Sequence, residues 1–356
     1  MLQGISVNSS LKFTGKPDME EKSPAEEFVS AIEKSVNEDT QGKKSKKYFW
    51  SPTAAIISFA PLLGYETFSI AKLRRLTKAG NKDLKKAFAQ KSLRNIVILL
   101  AVATALCLGL EYLFSRNSDK KVKEFRQDFA DLNTETEAKL RDQIVRSSYI
   151  GAMCSSVSEE ITVNYNLVLD PITRRRLKKL VKHELVHAKQ YETIARSENG
   201  INKLNYAVLK SAAKLFNNPK AIDEFEMVYQ ELNKDTTGKF DNMTLHLLGA
   251  DVDFKRYFQG IHELLTNKDA GIDDLPMVID VEHYKKVIDK KGALTPEEAD
   301  KAEKYYEAML DYPPITFWRT INPFSSYYDN LLEREAYKEN PNFATFVRNI
   351  FGMNKV

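Results

Sequence analysis

Cysteine is nearly missing: Cys107 and Cys154 are the only two in 356 residues, too few for a disulfide framework and without a CxxC pair to hold a metal. Histidine is scarce too, at 5 copies, so a cluster of histidines stands out against the composition. An excess of one charge is lacking as well. The 53 Lys and Arg almost balance 49 Asp and Glu, a net of +4, which argues against a nucleic-acid partner. Met1 to Asn8 show no basic stretch followed by an apolar one, so no cleavable signal is expected there and any membrane segment should be internal. No internal repeat occurs.

Long apolar runs, in contrast, are present. Residues 96–110 carry no charge, and Glu111-Tyr112-Leu113-Phe114 extends the run to residue 114 with a single acid. A bilayer core needs about 20 apolar residues on a helix, and a globular helix of this length would show a polar face that this one lacks. Residues 96–114 are therefore expected to be a transmembrane helix in contact with the lipid bilayer. An earlier stretch, 52–71, is interrupted by Pro61, Gly64 and Glu66 and reads as a second span, a re-entrant segment or an interfacial helix. Between them, residues 72–94 hold nine basic side chains against Asp83 alone. By the positive-inside rule this connection stays in the cytoplasm, and a helix leaving it at Ile96 delivers the C-terminal domain to the non-cytoplasmic side.

The remaining organisation follows from composition and period. Residues 1–47 are polar and end in a lysine-rich run, a flexible tail with a helical hint only at Glu26–Val36. The anchor region is 48–116, and a domain of 117–356 follows. Residues 120–146 are charged with apolar positions at helical spacing, which predicts a connecting helix. Two segments, 149–157 and 161–169, read as the strands of a short antiparallel hairpin; Ile161, Val163, Tyr165 and Leu167 alternate as a half-buried strand does. From 200 to 310 the pattern is that of a mostly helical insertion. At its far end Thr295-Pro296-Glu297-Glu298 makes a helix start with cap and N1 proline. The fold class expected is mainly α with a small antiparallel sheet.

One motif specifies chemistry. His183-Glu184-Leu185-Val186-His187 reads H-E-x-x-H within a helical stretch, where positions i and i+4 lie one above the other, so both imidazoles can grip one metal ion and Glu184 leans toward it. Two histidines, a carboxylate and a water make a catalytic zinc (Zn2+) site. Leu177, Leu180 and Val181 upstream, with Leu185, Val186 and Ala188 beside the histidines, keep the helix apolar around them. A third ligand is needed, and Leu331-Leu332-Glu333-Arg334-Glu335-Ala336-Tyr337 offers two. Glu335 follows the apolar face set by Leu331 and Leu332, yet Glu333 and Glu335 sit two apart on a helix, so only one can coordinate. His246, His262 and His283 are rivals of a weaker kind, each a lone histidine on a mixed helix.

The HELVH segment and the later Glu helix together resemble the gluzincin type of zinc metallopeptidase, the zincin superfamily in which the third ligand is a Glu in a pattern E-x-x-small-Asp/Asn. Carried over, that resemblance implies His183, His187 and Glu333 as metal ligands, Ala336 as the small residue that lets two helices approach, and Glu184 as general base; Glu335 stays open as the alternative ligand. Tyr337 departs from the pattern's Asp or Asn. It further implies an α+β zincin-like catalytic domain and a membrane-anchored endopeptidase with protein or peptide substrates, in which a strand edge before the metal helix can pair with an extended chain. Tyr327, Tyr328 and His262 are candidates for oxyanion support. A catalytically silent zincin-fold scaffold, and a hydrolase of non-peptide amides, are the competing readings.

Overall fold

The computed structural model describes residues 51–141, 151–216, 219–234, 238, 244–247, 250–267, 269–312, 322, 324–339, 341–351 and 353. The expected tail, 1–47, lies outside them. Two compact units divide the chain: Lys46–Phe129 with Asn164–Lys178, and Ala130–Val163 with Lys179–Val356.

In the first unit, α1 (Pro52–Lys78) and α2 (Lys82–Ser115) run as a helical hairpin. Both are long and apolar enough to cross a membrane. Pro61 and Gly64 lie within α1 without ending it. The basic segment 72–94 is no loop either: it forms the last turns of α1 and the first of α2, around a turn at 79–81. Small and polar residues face inward, with Ala54, Ser58 and Ser69 buried on α1 and Ser92, Ala103 and Cys107 on α2. The Asn95 amide donates to the Tyr65 hydroxyl at 2.9 Å. Such small residues let two helices approach closely where lipid removes the hydrophobic drive to associate.

The amphipathic α3 (Ser118–Leu132) buries Phe125 and Phe129 and ends well before residue 146, the limit expected from its periodicity. After it, α4 (Tyr165–Leu169) occupies the stretch read as the second half of a strand. Alternation at Tyr165 and Leu167 misled because five residues are too few to separate the two periods. Asp170 follows, fully buried. Its carboxylate accepts from Ser51 Oγ at 2.5 Å, Thr53 Oγ1 at 2.7 Å and Thr53 N at 3.1 Å, and from the N–H groups of Ile172 and Thr173 at 3.0 and 3.1 Å. One side chain thus satisfies orphan donors at the starts of two helices, α1 and α5 (Thr173–Ala195).

In the second unit the sheet is mixed. Strands β1 (Lys139–Leu140), β2 (Ala152–Cys154) and β3 (Glu160–Val163) take the order β1-β3-β2, with β2 antiparallel to β3 and β1 parallel to it. The antiparallel pair was expected; the parallel strand was not, because two residues carry no readable period. Helices α6 (Gly200–Ala213), α7 (Pro219–Lys234), α8 (Phe254–Thr266), α9 (Val281–Lys291) and α10 (Pro296–Leu310) fill the insertion. It also holds a hairpin, β4 (Thr244–Leu247) with β5 (Ala250–Asp253), that the helical reading missed. The helix start expected at Thr295, with its cap and N1 proline, is formed, and Glu298 completes a capping box with Thr295. Helix α6 packs on α8 and α10, and α10 on α11 (Leu331–Glu339); α12 (Phe343–Ile350) follows. Gly260 permits the α6–α8 crossing, since a Cβ there would stand 2.7 Å from the Leu209 side chain.

Candidate metal centre

Helix α5 supplies most of the site. From residue 183 it turns inward on nearly every face: His183, Glu184, His187, Ala188, Gln190 and Tyr191 are all buried. Only a narrow stripe through Lys182, Val186, Lys189 and Thr193 reaches solvent, so the buried polar groups must find partners inside the protein. The two imidazoles meet edge to face with Nε2 atoms 3.2 Å apart.

Glu333, in the first turn of α11 and 2% exposed, closes the triangle. Its Oε2 lies 3.3 Å from His183 Nε2 and its Oε1 lies 3.4 Å from His187 Nε2. Tetrahedral zinc, with bonds of about 2.0–2.2 Å, sets its ligand atoms about 3.3–3.6 Å apart; the two imidazole nitrogens approach that spacing, and the carboxylate turns a different oxygen to each of them. Ligand atoms of His183, His187 and Glu333 thus lie where one metal ion can be held, the one such group among the described residues. Burial works against charge on His187, yet the Glu333 carboxylate beside it outweighs burial and holds the imidazole up at about 9. Burial also opposes charge on Glu333, but the two histidines hold its carboxyl well below the usual range. The pocket therefore favours positive charge at its centre.

Glu335 does not join the triangle. Its Oε2 accepts from the Tyr305 hydroxyl at 2.7 Å and from Gln190 Nε2 at 3.4 Å. Gln190 in turn donates to the Leu332 carbonyl at 3.2 Å and places its Oε1 2.9 Å from His187 Nδ1. An outer partner of this kind fixes ring orientation and tautomer. Both acids in the helix have work, on opposite faces as the two-residue spacing demands. Gln190 was legible, one turn after His187 on the same face.

Tyr312 carried no such signal. It lies just beyond α10, and its hydroxyl donates to Glu333 Oε1; burial pushes the phenol well above its ordinary range, so it keeps the proton it donates. Tyr337 stands where the pattern has Asp or Asn, and its ring packs 4.3 Å from that of His183. Ala336 is fully buried, as close helix approach requires. Tyr327 packs beside Tyr312 and Tyr337, while Tyr328 turns to Tyr337 and Asn342. His262 is elsewhere, stacked on Tyr229 and paired with Glu226 at 3.1 Å. His283 bonds the buried Glu159 at 2.7 Å, and His246 lies on β4.

Glu184 points toward the sheet. Its Oε2 accepts the Cys154 N–H at 2.7 Å, a donor on the side of β2 away from β3. Among the described residues β2 is an edge strand, so its free side runs past the Glu184 carboxylate. Compared with protein-family models, curated proteins and solved structures, the chain matches none.

Proposed function

We propose that the chain is a membrane-anchored, zinc-dependent endopeptidase of the gluzincin type. The observation that carries this reading is the convergence of His183, His187 and Glu333 at 3.2–3.4 Å, with Glu184 one residue along the same helix. Two neutral imidazoles and one carboxylate are the donor set of a catalytic zinc site, so the residues present fit the ion. When bound there, zinc would supply Lewis acidity toward a carbonyl oxygen and acidify water toward neutrality.

The chain's own groups would do the rest. Glu184, buried and anchored by the Cys154 N–H, would take a proton from water and return it to the leaving amine. The outer side of β2 would hold an extended peptide as one more strand, aligned past that carboxylate. Tyr312, with Gln190 and Glu335 behind, would keep Glu333 and His187 from swinging out of the triangle. The α1–α2 hairpin would sit in the bilayer with its basic turn in the cytoplasm and the catalytic unit on the other face; protease access from each side of sealed vesicles reads this directly.

Removing the proton acceptor and removing a ligand should separate. Glu184→Gln should retain zinc while cutting peptide cleavage by at least about 10²-fold, and His183→Ala should lose both, measured by elemental analysis and by peptide hydrolysis on the full chain. Cleavage at the wild-type rate by Glu184→Gln would remove the general base from this scheme; wild-type protein without bound metal would remove the scheme itself.

A further inference from the structure

A pocket opens where β2 ends. It has an internal volume of about 40 Å³, with Val157, Val208, Met309 and Leu332 among its walls and Ser211 at one side. Three of its lining residues also belong to the candidate metal centre. Cys154 gives its N–H to Glu184, Tyr312 gives its hydroxyl to Glu333, and Leu332 directly precedes Glu333. The pocket therefore shares part of its wall with the site. None of its described lining residues carries a charge, so a Lys, Arg, Asp or Glu side chain entering it would be stripped of water with no partner, at a heavy cost.

We propose that this pocket receives the branched aliphatic side chain, Val, Leu or Ile, of the substrate residue next to the cleaved bond, and that the 200–310 insertion sets this selection. The inference rests on the peptidase reading above and names its substrate class. Size decides between apolar candidates. A water-sized group needs about 10–15 Å³ measured this way, so the pocket takes about three to four heavy atoms: Ala, with one side-chain carbon, leaves most of it empty and Phe overfills it. Position agrees with size, because a chain paired along the outer side of β2 reaches the pocket as the strand ends at Cys154. The selecting wall comes from the insertion, through Val208 and Ser211 on α6, Tyr257 on α8 and Met309 on α10. An insertion with no assigned chemistry thereby gains a role: it shapes what the metal centre sees.

Binding, read without turnover, tests this. The full chain carrying Glu184→Gln, zinc-loaded in detergent, is titrated calorimetrically with capped Gly-Gly-X-Gly-Gly peptides in which X is Leu, Ala, Phe or Lys. The Leu peptide should bind at least tenfold tighter than Ala, with Phe and Lys both weaker than Leu. Val208→Phe should bring the Leu-to-Ala ratio to within twofold. If that variant fails to give the parent circular-dichroism spectrum, Val208→Ala replaces it and should shift preference toward Phe. Equal affinity for Leu, Ala and Lys overturns the proposal, as does no binding by any peptide, or a Leu preference that neither Val208 variant alters. Repeating the titration after chelating the metal separates the two readings. A Leu-to-Ala ratio that persists while wild-type protein cleaves nothing sinks the peptidase reading alone; cleavage by wild-type protein with no such ratio sinks the pocket alone.

Discussion

The two units place polarity in opposite ways. On the α1–α2 hairpin the outward residues are apolar, with Val97, Val102 and Leu108 each about 60% exposed, and the inward ones include Ser58, Ser69 and Ser92. In the unit that holds the candidate metal centre the aliphatic residues are inside, Val181, Ile194, Leu204 and Leu209 among them, and the buried polar groups include His183, Glu184, His187 and Glu333. A helix of either kind obeys the same backbone rules. The hairpin's helices are long and apolar enough to cross a membrane, and lipid would reward an apolar exterior and leave small polar residues as the joint, whereas water rewards apolar burial and tolerates buried charge only where it is paired.

The contrast can be broken at four places. Asp170→Ala should have the largest effect, about 4 kcal/mol of stability, because five donors that now converge on one carboxylate lose their acceptor and each buried unsatisfied group costs about 1–3 kcal/mol, part of it recovered by water; thermal melting in detergent reads it. Val102→Arg should cost about 3 kcal/mol of membrane insertion while leaving metal content unchanged, whereas in a hairpin surrounded by water an exposed position would tolerate the change. Fractionation with vesicles decides between these outcomes. Glu335→Gln should weaken metal affinity by about 10-fold through Gln190 and His187, measured by competition with a chelator, with the fold intact.

The smallest effect concerns pH. Glu159 sits fully buried beside Glu192, which Lys291 pairs at 2.5 Å; burial first, and then the Glu192 charge, push the Glu159 carboxyl up to about 10. The folded state therefore holds a proton that the unfolded chain releases near its ordinary value of 4.5. Stability from this group is fully present below that value and is lost as pH rises toward about 10. Glu159→Gln should flatten the melting temperature between pH 5 and 9, and an unchanged slope would assign the pH dependence to other groups.

Much of this was legible beforehand, for stated reasons. H-E-x-x-H is readable because four residues are one helical turn, and the apolar run at 96–114 because its length exceeds what a globular core helix uses. The Thr295 cap is readable because its bond is local. What failed was short or mutual. A two-residue strand such as β1 has no period, 165–169 has too little of one, and the β4–β5 hairpin lay inside a region of helical pattern. Between Glu333 and Glu335 the apolar stripe pointed to Glu335 and the gluzincin resemblance to Glu333; it is Glu333 that lies with the two histidines, because a buried polar cluster inverts the rule that the inner face is apolar.

By itself the sequence determined the chemistry on offer: two stacked imidazoles with an acid between them, two candidate acids on one later helix, and a chain with segments suited to lipid. Helical spacing and apolar length are properties of neighbours in the chain, so they need no fold to be read. Tertiary structure alone decided that Glu333 faces His183 and His187, that Glu335 serves from behind through Gln190, and that Tyr312 and the edge of β2 join them. Those are contacts across 21 to 150 residues of chain, and only packing determines which side chains such separations bring within 3.4 Å of one another.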